Sequence, residues 1–413
     1  MSRLLDAIVP PRLGRDFRNL LASSWVSNIG DGISLAAGPL LVASETSDPV
    51  LVALAALLQR LPWVLFGLYA GVLADRVDRR RLVAFVDFGR AAVLVVLAAT
   101  IVTNAVNVGV VLAAMFLLGT AEVFADITSS TLLPMVVAAD DLGVANARLM
   151  AGPMVINQLI GPPLGAALFA MARAAAFSVQ AVAVALGAAF IARMAATRPE
   201  RHDADAPVRQ QIRQGLSWLW HHRPMRTLAL TILTFNITFG AAWAVLVLLA
   251  EQRLGLGPVG FGLLSAASAV GGLLGTAVYG RLERRLGAAN IMRGGLMIET
   301  LTHLTLALTT VPLVAGAILF VFGVHTAAWG ATSNAIRHRA VPTELQGRVG
   351  SIYFLGMMGS LVVGNAIGGL LARQWGITSP FWFAFAGSAL ILLLIWRELG
   401  HIARPASDAT ATG

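Results

Sequence analysis

The sequence predicts an all-α integral membrane protein whose twelve transmembrane helices form two pseudo-symmetric six-helix bundles. Three observations carry that prediction. Of its 413 residues, 57% are hydrophobic and only 12% are charged, with a mean hydropathy of +0.77, far from a soluble domain. The apolar residues fall into runs long enough to cross a bilayer, which takes about 20 residues per helix. The two halves of the chain also match each other in motif and spacing.

The first residues, through Leu20, carry Arg, Asp and a Pro pair rather than the unbroken apolar core of a signal peptide. Apolar runs then lie near 19–44, 50–74, 82–104, 107–132, 144–170 and 174–196, bounded by charge or by Gly and Pro. Residues 197–224 are polar and read as a linker, able to hold a short surface helix around Val208 to Trp220. Six more runs follow near 225–250, 257–280, 288–310, 312–336, 346–373 and 378–397. The predicted domains are therefore a bundle over 1–196, a cytoplasmic linker over 197–224, a second bundle over 225–400 and a cytoplasmic tail over 401–413.

Arginine distribution orients these crossings. Arg3, Arg12, Arg15 and Arg18 precede the first run, and the clusters Arg76 to Arg81, Arg198 to Arg213, Arg281 to Arg293 and Arg337 to Arg348 fall on the same side. The opposite loops carry little beyond Glu45, Asp48, Arg173, Arg253 and Arg373. Basic loops mark the cytoplasmic side, so both termini are expected there.

The internal match is arithmetical. Asp31 aligns with Asn236, and Arg76, Arg79 and Arg80 with Arg281, Arg284 and Arg285, at one offset of 205. Further on the offset becomes 203: Leu142 pairs with Leu345, and Gly161 and Gly165 pair with Gly364 and Gly368. Gly67 with Gly71, and Gly271 with Gly275, are G-x-x-x-G pairs that let membrane helices approach closely.

Between the second and third runs the chain reads GVLADRVDRRR, from Gly71 to Arg81. This resembles the loop signature of the major facilitator superfamily of transporters, G-x-L-a-D-r-x-G-r-r, with Asp78 in place of the second glycine. That variant resembles the branch of siderophore (enterobactin) exporters and macrolide efflux proteins. Residues Asn157 to Ala166, NQLIGPPLGA, resemble the fifth-helix signature of proton antiporters in part, matching at Gly161, Pro162 and Gly165. The resemblance implies two repeats meeting at a central cavity near the membrane midplane, and a first helix in each three-helix unit that lines it.

Charges inside a bilayer cost about 2.5 to 3.5 kcal/mol each on insertion scales, so each asks for a reason. Asp31 lies near the middle of the first crossing, in a polar stripe with Ser24, Asn28 and Ser34. A carboxylate there can bind and release a proton as access alternates; the alternative is a hydrogen bond between helices. Arg60 interrupts the second crossing as an unassigned counter-charge. Glu122 and Asp126, four apart in the fourth crossing, share a face with Gly119 and Ser129. Glu122 is a second candidate for proton or cation binding. By resemblance Asp126 is the acidic partner of the basic loop, forming a gating cluster with Gly71, Asp75, Arg76, Arg79 and Arg80.

In the second half, His325, Trp329 and Thr332 share a face of the tenth crossing, and Asn236 and Trp243 lie on the seventh. The tryptophans serve either an aromatic substrate or packing. Glu299 and His303, one turn apart, read as a mutually neutralising pair. The sequon beginning at Asn236 lies within a crossing and is discarded.

A net charge of +9 with no Cys excludes disulfides, thiol catalysis and cysteine metal sites. Arginines on one membrane face explain the charge without nucleic acid. Every basic side chain of the Lys and Arg class is Arg, as in proteins of high-GC bacteria. No H-E-x-x-H or G-x-S-x-G motif marks an enzyme. The reading is a monomeric multi-pass protein of the bacterial cytoplasmic membrane, a proton-driven antiporter exporting an amphipathic small molecule such as a macrolide or siderophore, with no cofactor or metal beyond the proton gradient. A dedicated metabolite exporter or lysophospholipid flippase of the same fold is the alternative within transport. A membrane-embedded enzyme or scaffold is the alternative outside it.

Overall fold

A computed structural model of the chain describes residues 11–195 and 208–402. The part of the expected linker before Val208, and the expected tail beyond 402, lie outside the described residues. Among them the secondary structure is helical throughout. The first five long helices are α1 (Gly14–Glu45), α2 (Pro49–Arg76), α3 (Arg79–Val102), α4 (Val108–Ser130) and α5 (Ala139–Met171). Next come α6 (Arg173–Ala192), the expected surface helix α7 (Val208–His221) and α8 (Arg223–Gln252). The last four are α9 (Pro258–Leu308), α10 (Pro312–Ala340), α11 (Thr343–Trp375) and α12 (Ser379–Ile395).

Ten of these helices are long and apolar enough to cross a membrane. The 51-residue α9 supplies two of the crossings, because it bends at Gly287, whose φ of 72° lies in the left-handed region that glycine adopts most readily. The break expected between 280 and 288 is thus a one-residue joint. Helix α12, at 17 residues, spans about 26 Å and completes the twelve.

Helix starts follow local chemistry. Asp78 caps α3 by accepting from the Arg81 amide at 3.1 Å, and Asn107 caps α4 by accepting from Val110 at 3.1 Å. This gives the aspartate in the motif's glycine position a structural task. Proline stands in the first turn of α8, α10 and α12, where its missing amide proton costs nothing.

The chain forms two compact units. Among the described residues, the first contains 11–47, 58–195 and 257–266, and the second contains 48–57, 208–256 and 267–402. In the first, α1 packs on α5 and α6 while α3 packs on α4 and α6; in the second, α8 packs on α11 and α12. Small residues make these approaches possible. A Cβ on Gly161 or Gly165 would collide with the backbone of Gly32 or Ile33 in α1, and one on Gly364 or Gly368 with the backbone of Ile237 or Ala241 in α8. The 203-residue match is therefore a repeated packing device.

The register of α1 against α8 differs from the sequence alignment. Asn28 donates to the Ser24 carbonyl and Asn236 to the Ile232 carbonyl, both at 2.7 Å. Each asparagine precedes by four residues a glycine of the helix crossing, Gly32 or Gly240. That correspondence has an offset of 208, nearly one helical turn from 205. Gly271 and Gly275 do pack, against the Phe320 and Val324 carbonyls of α10. Gly71 does not: a Cβ there meets nothing within 4 Å, so its proposed helix-packing role is corrected.

Candidate functional site

Helix α3 carries Asp87 and Arg90 three residues apart inside its apolar stretch, both side chains only 5% exposed. Spacing of three places them on one face, and Arg90 reaches Asp87 at 3.2 Å with one nitrogen. With the other it pairs with Asp31 of α1 in a tight ion pair. Two helices are thereby joined by one guanidinium, as its forked donors favour. Sequence reasoning treated 82–104 as an apolar run and missed this pair; the D-x-x-R spacing within a crossing was the available signal.

Three further charges surround this trio. Glu122, half-buried on α4, lies within electrostatic range of Asp31, Arg90 and Arg60. Asp126, one turn further and exposed, lies within range of Glu122, Asp31, Arg90 and Asp87. Arg60 of α2 feels Glu122, where Gly119 lets α4 touch the Gln59 carbonyl. The counter-charge of Asp31 is therefore Arg90, and Glu122 is the carboxylate within electrostatic range of Arg60. Four carboxyl groups face two guanidinium groups inside the first unit.

At the basic loop, Arg79 pairs with Asp75 at 2.9 Å and donates to the Ala74 carbonyl at 3.2 Å. Arg80 donates to the Met194 carbonyl at the end of α6 at 2.6 Å. Asp126 lies within electrostatic range of Glu122, Asp31, Arg90 and Asp87 of the α1–α3–α4 cluster. Of the expected gating cluster of Gly71, Asp75, Arg76, Arg79, Arg80 and Asp126, Asp75 and Arg79 form a direct ion pair. Gly161, Pro162 and Gly165 are buried at the α1–α5 contact. They follow a nine-residue π-helical stretch, Gly152–Ile160, a distortion often found at functional sites.

The second unit holds a different site, a cavity of about 610 Å³ bounded by α8, α9, α10 and α11. Asn236, His325 and Trp329 line it, with Glu299, Phe239, Phe322 and Tyr353. Glu299 pairs with His325 at 3.5 Å rather than with His303, so the expected neutralisation within α9 is corrected. His303 is fully buried and neither ring nitrogen has a hydrogen-bond partner. Trp243 stacks on Phe239 at 4.2 Å between centroids and lies 4.9 Å from Phe322, so it packs behind the aromatic wall. Among the described residues, no group of three or more His, Cys, Asp or Glu is arranged to hold a metal.

The chain matches the family model described as transmembrane secretion effector over residues 9–411. It is 26% identical to the multidrug efflux pump Tap of Mycolicibacterium fortuitum, over 94% of this chain and 97% of that protein. To macrolide efflux protein A of Streptococcus pyogenes it is 21% identical, over 92% and 94% of the two chains. Its fold resembles crystal structures of a bacterial homologue of the iron transporter ferroportin (TM-score 0.72, 19% identity, 94% of this chain and 99% of that one). It likewise resembles the nucleoside transporter NupG (TM-score 0.72, 12% identity, 94% and 98%).

Proposed function

The chain belongs to the transmembrane secretion effector family of the major facilitator superfamily, and on that premise we propose that it is a proton-coupled antiporter exporting an amphipathic small molecule. Transport follows from the family; the coupling ion and the direction are the proposal. The names of two relatives, a multidrug efflux pump and a macrolide efflux protein, support efflux and an amphipathic substrate. The Arg-rich loops support placing both termini in the cytoplasm.

The observation that carries proton coupling is the cluster in the first unit. Arg90 links Asp31 to Asp87, with Glu122 and Asp126 in electrostatic range. With four carboxyls against two guanidiniums, up to two bound protons neutralise the cluster, and each proton that leaves restores a negative charge inside the membrane. Such charges are retained in membrane helices chiefly as proton or ion relays. Of the two carboxylates paired with Arg90, Asp31 is the exchanging group: it is 21% exposed, whereas Asp87 is sealed at 5%. Loss of its proton strengthens the pair with Arg90 and draws α1 onto α3; protonation loosens it. The Asp75–Arg79 pair serves as the latch at the loop ends of α2 and α3.

The test is efflux of fluorescent amphipathic dyes and radiolabelled macrolides from expressing cells, with and without a protonophore. Extrusion is expected to be protonophore-sensitive and to disappear in Asp31→Asn at unchanged protein level. Gradient-driven efflux retained in Asp31→Asn would sink the assignment of the coupling residue.

A further inference from the structure

We propose that the cavity of the second unit is an organic-cation site, with Glu299 as its anionic anchor and His325 as the exchangeable occupant of that anchor. The proposal rests on the reading of the chain as an exporter and names the substrate class that the site would take.

Glu299 is only 8% exposed, and a buried carboxylate requires a compensating partner. The partner in place is weakly held. His325 Nε2 lies 3.5 Å from the carboxylate, at the outer limit of a hydrogen bond, and Nδ1 of the same ring is buried without a partner. The ring is accommodated by a missing side chain, since a Cβ on Gly295 would come within 2.5 Å of Nδ1. Phe322 stands edge-on to the imidazole at 5.7 Å and Trp329 at 6.4 Å, with Phe239 stacked on Phe322 at 5.9 Å. A single carboxylate among aromatic rings suits a cation with an apolar body, which gains from both the charge and the ring faces. Arg337, which also lines the cavity, lies twelve residues along α10 from His325, about 18 Å, where it donates to Asn334 and stands over the Tyr353 ring. An anion at Glu299 itself would meet the carboxylate without that donor, and a neutral ligand would leave the carboxylate's charge unanswered whenever His325 is neutral.

The exchange balances. A protonated His325 and a ligand cation answer the same negative charge, so entry of the ligand is matched by release of the imidazole proton to water. The other titratable or charged groups on the elements packed about the cavity are His303, edge-on to Trp243, and Tyr279, bonded to Thr332, both on α9, with Arg337 on α10 and Tyr353 on α11 in the lining. Arginine and tyrosine keep their charge state between pH 5.5 and 8, so substitution of each histidine in turn assigns any pH dependence in that window.

The experiment is equilibrium binding to the purified full chain of two probes: tetraphenylphosphonium, a permanent cation, and triphenylphosphine oxide, a neutral molecule of similar bulk. Tetraphenylphosphonium is expected to bind more tightly than the oxide. Its affinity should be higher at pH 7.5 than at pH 5.5, because a proton on the His325 imidazole competes with the ligand for Glu299. Glu299→Gln should erase the preference for the cation. His325→Gln should keep binding and lose the pH dependence, while His303→Gln should retain both. Equal affinity for the two probes, cation preference surviving Glu299→Gln, or pH dependence surviving His325→Gln would each overturn the site. Efflux that ignores a protonophore, with Glu299-dependent binding intact, would overturn proton coupling and leave this site standing. Efflux intact with no cation binding would do the reverse.

Discussion

In the first unit α1 presents Asp31 to a guanidinium on α3, whereas in the second unit α8 presents Asn236 to the cavity and packs Phe239 against Phe322. Both helices use the same means of approach: an asparagine bonded back one turn, a glycine at the crossing, and a glycine-bearing partner helix. The comparison separates two demands on the chain. Packing of the repeat is kept in both units, because membrane helices associate through close backbone approach in either case. Polar content is free to diverge, so one unit has become ionic and the other aromatic.

Removing the guanidinium should break this comparison most severely. Arg90→Leu leaves Asp31 and Asp87 facing each other without a counter-charge, and breaking a buried pair on one side costs about 3 to 5 kcal/mol. The variant is expected to fall sharply in membrane-inserted yield and in thermal stability in detergent. The triple variant Asp31→Asn, Asp87→Asn, Arg90→Leu should recover much of that loss while transporting nothing. A single variant as stable as wild type would show that the cluster carries no structural charge balance.

The shared packing makes a second, smaller prediction. Leu at Gly161 and Leu at Gly364 should destabilise to similar degrees, since each forces apart two backbones in contact, with overpacking typically costing about 1 to 3 kcal/mol. Melting of the purified variants measures it. Gly71→Leu should be tolerated in the same assay, because a side chain there meets open space. A large difference between Gly161→Leu and Gly364→Leu would show that the two units do not share the device.

Much of the fold was legible because bilayer thickness imposes a length on every apolar run, and the twelve crossings stand where the runs stand. The glycine pairs were legible by position, though their partners, Gly32 and Ile33, were not. The site was legible only in part. Asp31, Glu122, His325 and Trp329 stand out as polar or aromatic residues within apolar runs, but pairing depends on how helices face each other, which spacing along one helix does not encode. Hence His303, one turn from Glu299, looked like its partner, while the structure brings His325 from another helix. Asp126 was joined to the basic loop by analogy of motif, and its place on α4 sets it within electrostatic range of the ionic cluster.

The smallest expected effect concerns Asp78, the departure from the motif's glycine. Its carboxylate caps α3 through the Arg81 amide and lies 3.7 Å from Arg81 and 3.9 Å from Arg80. The Arg81 side chain is 79% exposed, so the ion pairs add little in water and the cap dominates. Asp78→Ala should therefore cost about 1 kcal/mol, the usual worth of an N-cap. Asp78→Asn should be nearly neutral, since an amide oxygen caps as well as a carboxylate. Asp78→Gly, which rebuilds the superfamily's more usual loop, should fall between them, because glycine is the better cap than alanine. Thermal melting of the three purified variants, run beside dye efflux, reads the order directly. If Asp78→Asn fell as far as Asp78→Ala, charge on the loop rather than the cap would be what Asp78 supplies, and the Asp75–Arg79 latch would have a third member.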